Sequence, residues 1–210
     1  MSVRLSELNT IIFDLGEVIV DLHPNLVLKR FEELLGSTRS NIPELIKDTN
    51  LLIEYEKGRM STSEFIQASN DFLKSEIPEE DFIAAWNLMI GDIPSNRLTL
   101  LRSLKATHQV LVLSNTNEMH ELYFEGKIRN EQQTEGLSHY VHHPLYSHKI
   151  DRRKPEKDIY EYVIDNFLED ASKALFLDDK IENVDAAINS GMQSIQVEYP
   201  DQIFEILSND

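Results

Sequence analysis

The sequence predicts an α/β fold: a parallel sheet covered on both faces by helices, with a helical block inserted after the first strand. Three observations carry this expectation. The short apolar runs Ile11-Ile12-Phe13, Val110-Leu111-Val112-Leu113 and Ala174-Leu175-Phe176-Leu177 read as strands buried on both faces. Helical periodicities alternate with such runs in the second half of the chain. Over residues 23–92, between the first two runs, helical spacing recurs and no strand pattern intervenes.

The first run stops at Asp14-Leu15-Gly16, a strand feeding a turn. Leu26, Leu28, Phe31, Leu34 and Leu35 then recur at helical spacing, and Leu45, Ile46, Leu51, Leu52 and Ile53 predict a further helix closing near Gly58. Ser61-Thr62-Ser63-Glu64 has the spacing at which a serine and a glutamate satisfy each other's backbone N–H groups at a helix start. Pro78-Glu79-Glu80 opens a helix carrying Phe82, Ile83 and Trp86, the last expected in a core. Leu98, Leu100, Leu101 and Leu104 predict a helix before the second strand, which ends at Ser114-Asn115. A charge-rich helix follows, then an irregular stretch from His139 to His148. Ile159, Tyr160, Val163, Ile164 and Phe167 place a helix that starts at Pro155. The third strand ends at Asp178-Asp179; a helix from Ile181 to Ser190 is stopped by Gly191, and Ser194-Ile195-Gln196-Val197 is the last strand, with a frayed tail over 207–210. The expected organisation is a Rossmann-like, three-layer core from residues 1–22 and 93–210, with 23–92 as an α-helical cap.

Composition narrows the function. The 210 residues are 41% hydrophobic and 27% charged, and none is cysteine, which excludes disulfides and thiol catalysis. No run approaches the roughly 18 apolar residues of a membrane helix. The start, Met1-Ser2-Val3-Arg4-Leu5, lacks a signal-peptide core, so a cytoplasmic location is expected. A net charge of -17 repels nucleic acid and anionic membranes, and neither is expected as a partner. It also repels a phosphorylated substrate, so any anion site must be built locally.

The polar residues that end the strands are suited to that task. In open parallel sheets, ligands bind beyond the carboxyl ends of the strands, where Asp14, Ser114 and Asp178-Asp179 should converge. Lys154 precedes a helix beginning Pro155-Glu156, whose N-terminus also favours anions. A carboxylate can serve as nucleophile, a second can hold Mg²⁺, a lysine can neutralise a transferring phosphoryl group and a serine can fix one of its oxygens. Taken singly, each has a plainer reading: helix cap, turn or exposed lysine. The adjacent carboxylates Asp178 and Asp179 are the strongest signal, because their repulsion calls for a cation or donors. His142, His143 and His148 offer weaker metal-binding spacing, and His120 is placed either to line the site or to cap a helix.

In this order, Asp14-Leu15-Gly16, Ser114-Asn115, Lys154-Pro155 and Asp178-Asp179 resemble the four motifs of the haloacid dehalogenase superfamily, over nearly the whole chain. The stretches Phe13 to Asp21, Ser114 to Asn117, Arg153 to Glu156 and Phe176 to Asp179 are similar to its bacterial α-D-glucose-1-phosphate phosphatases. The resemblance implies a Mg²⁺-dependent phosphatase acting on a small phosphorylated metabolite, such as a sugar 1-phosphate, through an aspartyl-phosphate. It implies that Asp14 is the nucleophile and a metal ligand, and that Gly16 gives its carbonyl to the metal. Ser114 and Asn115 then touch the phosphoryl group, Lys154 steadies phosphate and nucleophile, and Asp179 binds the metal with Asp178 beside it.

The chain departs from the superfamily at Gly16, where most of its phosphatases carry a second aspartate that protonates the leaving group and activates water. Glu17 is the candidate replacement. Two alternatives follow. A 2-haloacid dehalogenase would use Asp14 against carbon without metal, a reading that the acidic pair opposes. A catalytically weak binder of a phosphorylated metabolite would explain Gly16, but not the retention of Asp14, Lys154 and Asp179.

Overall fold

In the computed structural model, which describes residues 4–36 and 50–208, β1 (Thr10–Phe13) lies at the centre of a five-stranded parallel sheet. The order is β3-β2-β1-β4-β5, with β2 at Gln109–Ser114, β3 at His143–Tyr146, β4 at Ala174–Asp178 and β5 at Gln193–Gln196. Phe13 is in register with Val112 on one side and Leu177 on the other, so the three predicted strands end side by side.

Alternation along these strands sorts the core into two layers, as the two-residue period of a strand requires. Ile11, Phe13, Val110 and Val112 pack with Leu98, Leu101, Phe124 and Ile128 of α5 (Ser95–Lys105) and α6 (Glu118–Gln132). Ile12, Leu111 and Phe176 face the other way, against Ile159 and Val163 of α8 (Lys157–Phe167) and Ala187 of α9 (Ile181–Asn189). Both faces are covered, which is the three-layer α/β arrangement expected.

The sequence did not predict β3, which falls in the stretch read as irregular. It is an edge strand of only four residues, and it contains Pro144, which cannot donate to a ladder and is tolerated at an edge. The short α7 (Ser147–Ile150) follows it. The tail read as frayed is partly fixed: α10 (Gln202–Ile206) docks Ile203, and Leu207 is buried in the core. The expected helical positions Leu45 and Ile46 lie outside the described residues, as do Met1 to Val3 and the last two residues.

Between β1 and β2 lie α1 (Pro24–Leu35), α2 (Asn50–Glu56), α3 (Thr62–Leu73) and α4 (Glu79–Asn87). The Ser61–Glu64 capping pair forms as predicted. These helices have a hydrophobic cluster of their own around Phe31, Tyr55, Phe65, Phe82 and Trp86. Tyr55 stacks on Phe65 at 4.3 Å, and Phe65 meets Trp86 edge to face at 5.0 Å. Where α2 ends, the backbone of Gly58 passes so close to His148 that a Cβ there would lie 2.0 Å from its carbonyl oxygen. Gly58 also has φ +71°, so glycine is required twice over.

Candidate active site

Asp14 leaves β1 with its N–H donated to Leu177 O at 2.8 Å, which fixes it beside the end of β4. Lys154 enters from the loop before α8. Its backbone is clamped by Asn115, whose Oδ1 accepts from Lys154 N and whose Nδ2 donates to Lys154 O, both at 2.8 Å; the Lys154–Pro155 peptide is cis. Thus held, Nζ donates to Asp14 Oδ1 at 2.6 Å and Asp178 Oδ2 at 2.7 Å. The other oxygen of Asp178 accepts from Lys180 N at 2.9 Å and Asn183 Nδ2 at 2.8 Å. Asp178 is fully buried and both its oxygens are occupied, so its first effect is to orient Lys154.

Asp14, Asp178 and half-buried Asp179 present carboxylate oxygens within 4.8 Å of one another, the one group of metal-ligating type among the described residues. Three carboxylates against one ammonium leave two negative charges, which a divalent cation would balance. Burial, with Asp178 adding to it, raises the Asp14 carboxyl to about 7 despite Lys154 beside it. Burial and Asp178 likewise raise Asp179. Hard oxygen donors and unneutralised charge both fit Mg²⁺.

The turn after β1 offers one more oxygen. Leu15 O accepts from the N–H groups of Ile19 and Val20, and Val20 O accepts from Glu17 N. No described backbone N–H donates to the Gly16 carbonyl between them. A side chain at Gly16 would bring its Cβ to 2.8 Å from Leu22 Cδ1, so the Leu22 side chain would have to shift to admit one. Glu17 has φ +55° and its Oε1 accepts from Leu22 N at 3.0 Å. The glutamate carboxylate therefore braces the turn.

Ser114 and Asn115 border a cavity of about 390 Å³ that runs from the strand ends to the helical block. Ser114 is buried at its edge. The loop that carries it is held by Ser147, whose Oγ donates to Thr116 O and accepts from Thr116 N, both at 2.9 Å. Sequence reasoning missed Ser147, since only the pairing of β2 with β3 brings it there. It also missed Asn183, and it named Arg153 only within a motif, without the place this residue has in the cavity wall next to Lys154.

His120 also lines the cavity and is buried. Its Nε2 faces Trp86 O at 3.1 Å and so carries the proton, while Nδ1 meets Asn117 Nδ2 at 3.2 Å. Burial lowers its pKa to about 4, so the ring is neutral. The Trp86 ring stacks on it at 5.7 Å; Trp86 Nε1 is buried and has no acceptor among the described residues. The other histidines do not converge. His142 Nδ1 accepts from Val110 N, His143 packs on Phe167, and His148 Nε2 is 2.9 Å from Glu121.

The chain resembles known proteins in both sequence and fold. The family model of the haloacid dehalogenase-like hydrolases matches residues 8–191. A D-ribitol-5-phosphate phosphatase from Bacteroides thetaiotaomicron is 25% identical over 193 residues, covering 91% of this chain and 92% of that protein. Among solved structures, a haloacid dehalogenase family enzyme from the same organism, in complex with magnesium and inorganic phosphate, superposes with a TM-score of 0.80 at 24% identity, covering 90% of this chain and 93% of that one. A predicted hydrolase of this family from Porphyromonas gingivalis gives 0.83 at 23% identity, with 94% of each chain covered.

Proposed function

Because the chain belongs to the haloacid dehalogenase-like hydrolases, we propose that it is a Mg²⁺-dependent phosphatase of a small sugar or alditol monophosphate, working through an aspartyl-phosphate on Asp14. The observation that carries this reading is the buried bridge from Lys154 Nζ to Asp14 at 2.6 Å and Asp178 at 2.7 Å, beside a cavity of substrate size. The named phosphatase relative and the magnesium–phosphate complex of the structural neighbour support it.

In this reading, Lys154 holds Asp14 Oδ1 and leaves the other oxygen to attack phosphorus. The O–P bond to Asp14 forms as the bond to the leaving oxygen breaks. Water then attacks the aspartyl-phosphate, releases inorganic phosphate and restores the carboxylate. Lys154 and the Ser114 hydroxyl hold the phosphoryl oxygens, with the backbone N–H of Asn115, whose side chain is already given to the lysine loop. Asp14, Asp179 and the Gly16 carbonyl would hold the cation, with Asp178 touching it directly or lying just behind these ligands. When bound, Mg²⁺ supplies charge neutralisation and a template for the phosphoryl oxygens. Residues 23–92 act as a cap over this centre and select the substrate.

The unreplaced aspartate at Gly16 favours a leaving group that needs little protonation. Glu17 is a poor substitute, since its carboxylate braces Leu22 N. An anomeric hydroxyl is more acidic than a primary alcohol, so a sugar 1-phosphate should be turned over faster than ribitol 5-phosphate. The test is phosphate release from both, and from aryl phosphates of graded acidity, with Mg²⁺ and after chelation, followed by rapid quench for phosphoenzyme. Loss of metal and activity together in Asp179→Ala is expected. Full activity in chelator would remove the metal from the mechanism; chloride release from a 2-haloacid under those conditions would install the dehalogenase reading. Metabolite binding without turnover of any phosphate would make the chain a binder.

A further inference from the structure

Three ion pairs join the end of α2 to the loop that carries Lys154. Lys57 meets Glu156 at 2.7 Å, Arg59 meets Asp151 at 2.6 Å, and Arg153 meets Glu56 at 3.0 Å. Lys57–Glu156 has one exposed partner, and in Arg59–Asp151 both side chains are exposed, so water screens both pairs. The third differs in two ways. Both its side chains are only 13% exposed, and both line the cavity next to the strand ends. Arg153 Nε, at 3.1 Å, and Nη2 point at the same Glu56 oxygen, so this is a forked, partly desolvated contact. Burying such a pair costs desolvation that its own attraction seldom exceeds, so stability is a weak reason for it.

The charges of the cavity indicate what the pair does. Among the described residues, its wall away from Asp14 and Asp179 carries Glu17 and Glu56 against Arg153 and Lys180. Among the described residues these four charges cancel, within a chain whose net charge is -17. The remainder mixes apolar residues such as Leu22, Leu52 and Met89 with the uncharged polar side chains of Ser114 to Asn117 and His120. A neutral, hydroxylated leaving group suits such a wall, since hydroxyls can donate to a carboxylate and accept from a guanidinium. A second phosphate or a carboxylate does not suit it, because it would compete with Glu56 for Arg153 and approach two fixed carboxylates.

We propose that the Glu56–Arg153 pair determines specificity: it reads hydroxyl groups on the leaving group, and the Glu56 charge rejects substrates with a second anionic group. This rests on the phosphatase reading above and adds to it a residue pair and the exclusion of substrates that carry a second anionic group. It is a case of selection by repulsion as well as by contact.

The test compares glucose 1-phosphate with glucose 1,6-bisphosphate in the parent, in Glu56→Gln and in the double variant Glu56→Gln/Arg153→Gln. The quantity read is the ratio of kcat/KM for the two substrates, which cancels any general loss of activity. The parent should prefer the monophosphate. Glu56→Gln should shift the ratio towards the bisphosphate by roughly tenfold or more, the scale of a close charge contact. The double variant should give most of that shift back, because Arg153, the cation packed against Glu56, is gone while Glu17 remains on the wall. An unchanged ratio in a Glu56→Gln protein with a cooperative thermal transition overturns the proposal. So does a parent that takes both substrates equally. Affinities of the two sugars for Asp14→Asn and Asp14→Asn/Glu56→Gln proteins, measured by calorimetry with Mg²⁺ present, read the same discrimination without turnover. A parent with no phosphatase activity would then sink the phosphatase reading, while the affinity ratio still decides the role of the pair.

Discussion

The strand ends and the helical block of α1 to α4 bury comparable side chains by opposite means. Lys154 and Trp86 are each 2% exposed. Lys154 is fixed by a chain of directed bonds: its peptide to Asn115, its ammonium to Asp14 and Asp178, and Asp178 in turn to Lys180 N and Asn183. Trp86 is fixed by rings packed on both sides, Phe65 and Phe82 within the block and His120 on α6, and its one polar atom has no described partner. Directed bonds hold atoms to tenths of an ångström, which phosphoryl transfer needs. Ring packing fixes a volume, which suits a cavity wall. On the proposed function, the difference separates residues expected to set the rate from residues expected to set shape.

The sharpest break between the two regions is expected at Asp14. Asp14→Asn keeps the shape and removes both nucleophile and charge, so turnover should vanish while the protein still unfolds cooperatively. Thermal melting beside a phosphate-release assay checks both halves. Near-normal turnover in a folded variant would end the aspartyl-phosphate mechanism.

Trp86→Ala should show the reverse. Removing a fully packed ring from a core costs about 3–5 kcal/mol, and a denaturant titration reads it. A loss below about 1 kcal/mol would be that of a surface substitution, and would recast Trp86 as a substrate contact alone. Lys154→Ala should lower kcat/KM roughly a hundredfold, the effect of losing one preorganised donor. A change of less than threefold would place Lys154 outside the chemistry and leave it a core ion pair.

The same contrast governs what the sequence could disclose. At the strand ends, chemistry-bearing residues interrupt apolar runs, so Asp14, Ser114 and Asp178 are visible as breaks in a pattern. The parallel fold then brings them together whatever their distance in the chain. The contacts of Lys154 also follow from that convergence. The structural use of Glu17 is invisible, because it depends on the positive φ of one turn residue. So are Ser147 and Asn183, which are ordinary polar residues until the sheet order sets them beside Thr116 and Asp178. In the helical block, Phe65, Phe82 and Trp86 read equally well as core or as cavity wall, and Trp86 is both. The β3 edge strand escaped because four residues with a proline carry too little pattern.

His120 joins the two regions and gives the smallest predicted effect. It sits on α6 near the strand ends, stacks on Trp86 and is neutral, with a pKa lowered to about 4 by burial. An unfolded histidine titrates near 6.5. Between those values the unfolded chain binds a proton that the folded chain refuses, so the contribution of this group to stability is intact above about pH 6.5 and is lost as pH falls towards 4. At 1.36 kcal/mol per unit, the loss from this site between pH 6.5 and 5 is roughly 1.5 kcal/mol. Hydrogen bonding points the same way. Nε2–H already donates to Trp86 O, so an added proton must go to Nδ1, where it would face the amide nitrogen of Asn117. The many carboxylates of this chain titrate over part of the same range, so the measurement is a difference. Unfolding free energies of the parent and His120→Gln are compared at several pH values, and the gap between them should change in favour of the variant on acidification. A gap that stays constant from pH 7 to 5 would mean that His120 titrates normally in the folded protein and that the floor of the cavity admits water and charge.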